Sequence, residues 1–355
     1  MKVLDTLHRW TGGLIGLVLA MLGCTGLLLI HEDLWIRLPH AGDAQVQETG
    51  ALADATQRIM ADATRRPQSI LYASADFGLD RLSYGGGSNG GGAYVTQSGA
   101  PVVTWNSAWQ RPEIWMVNLH RRLLADEAGE TVIGIAGLCG VFFVVSGAFL
   151  WWRTRKTYEF RLWPARMSRP AIVRHHRDLG IVVAPLLLLS FVTGSVLVFR
   201  PLSVVLFGPG APKEITQSLA APEAAQAPVG RNLDWAGMVR QARTRFPDAE
   251  LRTLSLPRKN SGVITLRLRN PGEWLPNGRT TVWFAADTGQ MIGARDAADL
   301  PRAVRGYSML FPLHAAKVGG LPYRLVMSIS GLALALLGTF AVWTFWFKRP
   351  KPKRR

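Results

Sequence analysis

Four long apolar runs dominate the pattern of hydrophobic and polar positions along the chain. Each run is 21 to 23 residues long and contains no Asp, Glu, Lys or Arg. A helix needs about 20 residues to cross a hydrocarbon layer of roughly 30 Å. The pattern therefore predicts an α-helical membrane protein with four spanning helices, over 10–30, 131–152, 179–199 and 325–347.

The two long polar segments between these runs have the patterns of small α+β domains. Helical periodicity is present over 52–60 and 233–246, and each predicted helix precedes short runs with the character of strands. Turns at Ser98-Gly99 and Thr288-Gly289 then separate a final pair of strands in each segment. The earlier strands are expected at 68–72, 79–84, 250–256 and 262–269.

Positive charge is concentrated beside the apolar runs. The chain has 41 Lys and Arg against 24 Asp and Glu, a net charge of +17, but only 18% of its residues are charged and 48% are apolar. Residues 1–10, 153–178 and 348–355 hold 16 of the 41 cations. Because cytoplasmic loops are enriched in Lys and Arg, both termini are predicted to be cytoplasmic. The composition argues against a disordered chain and against a nucleic-acid binder.

These assignments divide the chain into eight segments, with the lipid bilayer as a partner and the two α+β domains outside, in the periplasm of a Gram-negative host. The segments are helix 1 at 1–32, periplasmic domain 1 at 33–129, helix 2 at 130–153, a basic cytoplasmic loop at 154–177, helix 3 at 178–200, periplasmic domain 2 at 201–321, helix 4 at 322–347 and a basic cytoplasmic tail at 348–355.

The two halves of the chain share short motifs at constant offsets. His8-Arg9 opens the first run and His176-Arg177 the third, and in both a Thr-Gly pair begins 17 residues after the His. Leu119-His120 precedes the second run, and Leu313-His314 precedes the fourth. The order span, α+β domain, Leu-His, span occurs twice and predicts a tandem duplication with parallel repeats. Such repeats predict a four-helix bundle with pseudo-twofold symmetry.

Histidines recur at the span ends of both halves. Imidazoles on facing helices are usual axial ligands of a buried b-type haem, and a pseudo-twofold axis would pair His8 with His176 and His120 with His314. The hypothesis predicts about two haem b groups per chain. His175 is an alternative to its neighbour His176, and His31 is a further candidate. Cations placed to pair with haem propionates are Arg9, Arg177, Arg121 and Arg122.

Other interpretations of these histidines stay open. Amphipathic side chains favour membrane interfaces, so the histidines could be structural. The chain has no Cys-x-x-Cys-His sequence, which rules out covalent c-type attachment. Zinc is disfavoured because cysteines and carboxylates do not cluster beside the histidines.

Taken together, the motifs resemble the PepSY-associated transmembrane family over nearly the whole chain. The residues that carry the resemblance are His8-Arg-Trp-x-Gly, Thr25-Gly26, Leu119-His120-Arg, Ser146-Gly147 with Trp151-Trp152, His176-Arg and Leu313-His314. This family consists of iron-regulated inner-membrane proteins that include siderophore-iron reductases. The resemblance implies PepSY-like periplasmic domains and a di-haem cytochrome that reduces ferric siderophore in the periplasm and releases Fe(II).

On this hypothesis the electron donor is a flavin, a quinol or a protein on the cytoplasmic side or in the membrane. Two alternatives belong beside it. The first is a non-enzymatic PepSY-type membrane protein that binds a partner or regulates one, with structural histidines. The second is a cytochrome that serves another periplasmic acceptor. The visible spectrum of the purified protein separates the first alternative from both cytochromes.

Overall fold

A computed structural model describes residues 2–85, 89–257 and 261–347 of the chain. The predicted basic tail at 348–355 lies outside these residues. Two compact units are formed. The helical unit comprises Met1–His31, Met116–Leu202 and Leu313–Arg355, and the sheet unit comprises Glu32–Trp115 and Ser203–Pro312.

The described residues form helices and strands that follow one another in a similar order in the two halves. The helices are α1 Lys2–Ile30, α2 Glu32–Trp35, α3 Thr49–Ala61, α4 Pro112–Arg122, α5 Asp126–Thr154, α6 Arg169–Val198, α7 Ser203–Phe207, α8 Ala211–Ser218, α9 Trp235–Arg245, α10 Arg302–His314 and α11 Gly320–Trp346. The strands are β1 Ser69–Leu71, β2 Asp80–Ser83, β3 Gly92–Val95, β4 Pro101–Trp105, β5 Glu250–Ser255, β6 Val263–Arg269, β7 Thr280–Ala285 and β8 Met291–Arg295.

Four helices of the helical unit are long and apolar enough to cross a membrane, which confirms the four predicted spans. They are α1, α5, α6 and α11. All four begin before the apolar run, as α6 does at Arg169, ten residues ahead of Leu179. The apolar pattern marks the hydrocarbon depth, whereas the backbone hydrogen bonds of a helix continue into polar turns on either side.

Small residues let these helices pack closely in two pairs. On α1, a Cβ added to Gly16 would lie 2.8 Å from the carbonyl oxygen of Gly338, and one added to Gly23 would lie 2.5 Å from that of Gly331. The second pair is α5 with α6, where a Cβ at Gly137 would lie 2.5 Å from Ser195 Oγ. Association of spanning helices relies on this kind of close backbone approach.

The sheet unit contains one antiparallel sheet of eight strands, in the order β4-β3-β2-β1-β5-β6-β7-β8. Strands from the first half form one side of the sheet, and strands from the second half form the other. They meet where β1 pairs with β5, with Ile70 opposite Leu254. The sequence predicts two α+β domains; in the structure the two segments contribute to a single sheet and a single unit.

Helices α3 and α9 cover one face of this sheet. Their apolar residues, such as Met60 and Val239, pack with Ile70, Leu254 and Phe284 of the strands in a shared core, and all five are fully buried. The hairpins predicted around Gly99 and Gly289 are present, and both glycines have a positive φ, 90° and 72°. A left-handed backbone is costly for other residues, which explains why glycine stands at both turns.

Candidate functional site

The structure brings four of the predicted site histidines together in two pairs. His8 on α1 lies against His176 on α6, with ring centroids 6.3 Å apart. His120, in the last turn of α4, lies against His314, the last residue of α10, also with centroids 6.3 Å apart. His175, the alternative to His176, instead donates from Nε2 to the carbonyl oxygen of Leu162, at 3.2 Å.

The two pairs lie at opposite ends of the bundle. Thr25 on α1 is hydrogen-bonded to His120, whereas His8 lies 17 residues earlier on the same helix. At 1.5 Å per residue these positions are about 25 Å apart along α1. A span has about this length, so each pair is near one surface of the hydrocarbon layer.

Hydroxyl groups fix the tautomer of both imidazoles in the His120–His314 pair. Nδ1 of His120 is 2.7 Å from Thr25 Oγ1, and Nδ1 of His314 is 3.1 Å from Thr193 Oγ1. Each threonine hydroxyl donates its proton to the backbone carbonyl four residues earlier, at 2.9 and 2.6 Å. Each oxygen is therefore left to accept from Nδ1–H. Nδ1 of His314 also donates to the carbonyl oxygen of Ser190, at 3.1 Å.

This arrangement leaves Nε2 of both imidazoles unprotonated and able to bind a metal. Donation from the other ring nitrogen is the usual support of a metal-binding histidine. Burial, with smaller contributions from His314 and Arg121, lowers the pKa of His120 to about 3. Burial also lowers the pKa of His314. Both imidazoles are therefore neutral at physiological pH, which metal binding requires.

In the His8–His176 pair a hydroxyl supports only one of the two imidazoles among the described residues. Nδ1 of His8 is 2.7 Å from Ser146 Oγ, and that hydroxyl donates to the carbonyl oxygen of Phe142 at 2.6 Å. The same argument therefore leaves Nε2 of His8 unprotonated. Nδ1 of His176 is buried and has no hydrogen-bond partner among the described residues. The position that corresponds to Ser146 by the 194-residue offset is Phe340, which has no hydroxyl.

Glycines leave room beside three of these imidazoles. A Cβ at Gly26 would lie 3.3 Å from Cε1 of His120, and one at Gly194 would lie 3.0 Å from Cε1 of His314. Gly147 has the same relation to His8, at 3.6 Å. Each glycine directly follows the hydroxyl residue that bonds the same histidine. The sequence showed these Thr-Gly and Ser-Gly pairs as motifs, but it did not show that their hydroxyls hold the imidazoles.

Each pair offers two imidazole nitrogens, the donor type that a haem iron takes from a protein. A metal midway between two rings 6.3 Å apart is about 3.2 Å from each centroid. A metal–nitrogen bond of about 2.0 Å places a ring centroid at nearly this distance. Haem supplies the four equatorial nitrogens, so two imidazoles complete its coordination. Among the described residues no three His, Cys, Asp or Glu side chains form a metal-binding group.

The other candidate residues lie outside the two pairs. His31, at the end of α1, has Nε2 at 2.7 Å from Ser328 Oγ. The hydroxyl of Ser328 donates to the backbone of Arg324, so His31 carries its proton on Nε2, the opposite tautomer from His120 and His314. Nδ1 of His31 is 3.5 Å from the Arg324 guanidinium. His31 is thus bonded to α11 and not to another imidazole.

The four predicted propionate partners differ in their surroundings. Arg122 lies 3.3 Å from Glu130. Arg9 is half-exposed and lies 3.7 Å from Asp5. Arg177 is engaged with Asp178, at 2.6 Å from Nε, and with the carbonyl oxygen of Thr157. Arg121 is exposed on α4. Arg177 therefore already has hydrogen-bond partners within the protein.

Four apolar spanning helices and an antiparallel sheet unit define a multi-pass helical membrane protein with a β-domain. The chain matches the family described as PepSY-associated TM region over residues 6–349. It therefore belongs to this family, and the resemblance found in the short motifs is confirmed. None of the curated proteins compared with the chain matches it.

Proposed function

We propose that this protein is an inner-membrane di-haem b cytochrome that moves electrons across the bilayer to reduce ferric siderophore in the periplasm. The observation that carries the proposal is the pairing of four imidazoles, three of which have Nδ1 bonded to a hydroxyl that can only accept. Haem bound at both pairs would supply one-electron transfer at each end of the bundle.

The residues of the chain have defined tasks on this proposal. Ser146, Thr25 and Thr193 would hold His8, His120 and His314 with Nε2 free to bind the haem iron. The family of the chain and its cluster of cations beside the first and third spans support a bacterial inner-membrane protein with cytoplasmic termini. The matching element order of the two halves supports an origin by tandem duplication.

The reaction is the transfer of one electron to Fe(III) within the chelate, which gives Fe(II). The electron comes from a flavin, quinol or protein donor on the cytoplasmic side. Hard oxygen ligands bind Fe(II) less strongly than Fe(III), so the reduced ion leaves the chelate. The sheet unit would lie in the periplasm, where the ferric siderophore arrives.

The first experiment measures haem. The detergent-purified protein, expressed with adequate haem supply, is expected to contain about two haem b per chain in a pyridine haemochrome assay. A variant with His8, His120, His176 and His314 all replaced by Ala should contain none. The matched control is His40→Ala, an exposed histidine of the sheet unit that pairs with Asp43. A wild-type protein without haem would favour the non-enzymatic alternative.

The second experiment measures electron transfer and its direction. The reduced protein is mixed anaerobically with ferric hydroxamate and ferric catecholate siderophores, and Fe(II) is captured by a ferrous chelator. We expect one Fe(II) for each electron lost by the protein. Reoxidation by other acceptors, without reaction with any ferric siderophore, would favour the cytochrome with a different periplasmic acceptor.

Orientation is tested by cysteine labelling in a Cys24→Ala/Cys139→Ala background. Asp76→Cys probes the sheet unit, and Ala165→Cys probes the loop between α5 and α6; both residues are exposed. In intact spheroplasts an impermeant maleimide should react with Asp76→Cys alone. Reaction of Ala165→Cys alone would reverse the topology.

A further inference from the structure

The loop between α5 and α6, residues 155–168, exposes large apolar side chains between its cations. Leu162 is 79% exposed and Trp163 is 56% exposed. Three more apolar residues, Tyr158, Phe160 and Met167, are also exposed. A soluble loop that displays so many apolar groups would be unusual, because contiguous exposed apolar patches mark interaction sites.

This loop is fastened to the helical unit along most of its length. The guanidinium of Arg177 donates to the carbonyl oxygen of Thr157 at 2.7 Å. The backbone N–H of Glu159 donates to Asp178 at 3.2 Å, and His175 donates to the carbonyl oxygen of Leu162 at 3.2 Å. The exposure of its apolar residues is therefore a property of a fixed conformation.

The loop folds back along the spans. The ring of Trp163 packs on Phe340 of α11, with centroids 5.7 Å apart. Phe340 lies six residues before Trp346, the last residue of α11, which is about 9 Å along the helix. The apolar run of this span continues to residue 347. Trp163 and its neighbour Leu162 are therefore beside the hydrocarbon layer and not in bulk water.

The cations of the loop are exposed and alternate with its apolar residues along the chain. Arg155, Lys156, Arg161 and Arg166 are all exposed, and Glu159, which pairs with Arg161, is the one acidic residue of this segment. Arg155 lies over the ring of Trp152, 4.2 Å from its centroid. Aromatic rings at headgroup level and cations that reach phosphate are the usual features of an interfacial anchor.

We propose that residues 155–168 form a membrane-surface anchor that inserts Leu162 and Trp163 among the acyl chains and binds anionic phospholipid headgroups through Lys156 and Arg166. A soluble protein partner is disfavoured because it could not reach apolar side chains at this depth. The loop is bonded to His175 and Arg177, the neighbours of His176 in the chain. Lipid binding therefore fixes the start of α6, and with it one member of the His8–His176 pair.

The depth of the loop is measured by spin labelling in nanodiscs, in the Cys24→Ala/Cys139→Ala background. A label at Leu162→Cys is expected to collide more with oxygen than with a water-soluble nickel chelate. The lipid-facing reference is Leu14→Cys, exposed on α1, and the water-facing reference is Asp76→Cys. Nickel accessibility at Leu162→Cys equal to that at Asp76→Cys would overturn the proposal and favour a docking surface for a soluble electron donor.

Headgroup recognition is measured with a bimane label at Leu162→Cys while phosphatidylglycerol replaces phosphatidylcholine in the nanodisc. Each cation near an anionic surface contributes a factor of about five to binding. The variant Lys156→Gln/Arg166→Gln is therefore expected to bind phosphatidylglycerol about 30-fold more weakly. Arg231→Gln, an exposed arginine of the sheet unit, is the matched control. Equal titrations for the double variant and its parent would overturn headgroup binding. Neither measurement requires haem, so both are independent of the proposed redox function.

Discussion

The two histidine pairs have the same ring separation but different support. In the His120–His314 pair each Nδ1 has a threonine hydroxyl, and the two hydroxyls occupy equivalent positions in the two halves. In the His8–His176 pair only His8 has such a partner. Because donation from Nδ1 makes an imidazole a more basic ligand, His176 is expected to be the weakest of the four. The two pairs therefore share one ring separation but differ in the hydrogen bonds that their imidazoles make.

The largest effect is expected from removing an imidazole. His120→Ala or His314→Ala should damage one haem, and His8→Ala or His176→Ala the other, because loss of one axial nitrogen leaves a five-coordinate, weakly held iron. Haem content and the low-spin optical signals of each variant measure this. His31→Ala is the control and should keep both signals. If His31→Ala removes a low-spin haem while His120→Ala leaves two, the pairing is wrong.

A smaller effect is expected from removing a hydroxyl. Thr25→Val leaves Nδ1–H of His120 buried without an acceptor, a cost of about 1–3 kcal/mol. Thr193→Val should cost less, because His314 keeps the carbonyl oxygen of Ser190. Release of haem during thermal unfolding, followed at the Soret band, measures both.

The matched control for these variants is Thr339→Val. Among the described residues its hydroxyl bonds only the backbone of its own helix, at the carbonyl oxygen of Ala335. On the other pair, Ser146→Ala should weaken haem retention there and leave the His120–His314 signals unchanged. Equal losses of haem retention for Thr25→Val and Thr339→Val would show that the Thr25 hydroxyl does not support His120.

The smallest effect is expected from crowding the imidazoles. Gly194→Ala brings a methyl group to 3.0 Å from His314, Gly26→Ala to 3.3 Å from His120 and Gly147→Ala to 3.6 Å from His8. Overpacking costs about 1–3 kcal/mol at a tight site, so haem retention should fall most for Gly194→Ala. Gly180→Ala is the control for helix propensity, because no described atom outside the local helix backbone lies within 4 Å of the new Cβ. The reverse order of effects would contradict the described packing.

Much of this architecture could be predicted because it depends on local pattern. The four spans follow from uninterrupted apolar runs, and the strands follow from short β-type runs within a few residues of their observed ends. The pairing of β1 with β5 could not be predicted, because periodicity gives the faces of a strand but not its distant neighbour. The fold-back of the 155–168 loop could not be predicted either, because a count of cations does not indicate how deep a loop lies in the membrane.

The candidate site was predictable to a similar extent. The offsets of 168 and 194 residues predict which histidines should face each other, and the structure brings those residues together. The ligand role of the histidines stays a prediction. The missing hydroxyl at Phe340 could have been read from the same offset, but only once Ser146 was known to hold His8. Its effect on His176 is therefore visible only in three dimensions.

The contact between α1 and α11 also determines when the protein can finish assembling. These are the first and last spans, and about 290 residues separate Ile30 from Gly320. At a synthesis rate of about 5–20 residues per second, the first span waits roughly 15–60 s for its partner. During this time the glycine face at Gly16 and Gly23 has only lipid or an insertion factor to cover it. A nascent chain that stalls before residue 320 thus presents the uncovered glycine face of α1 to the quality control of the membrane.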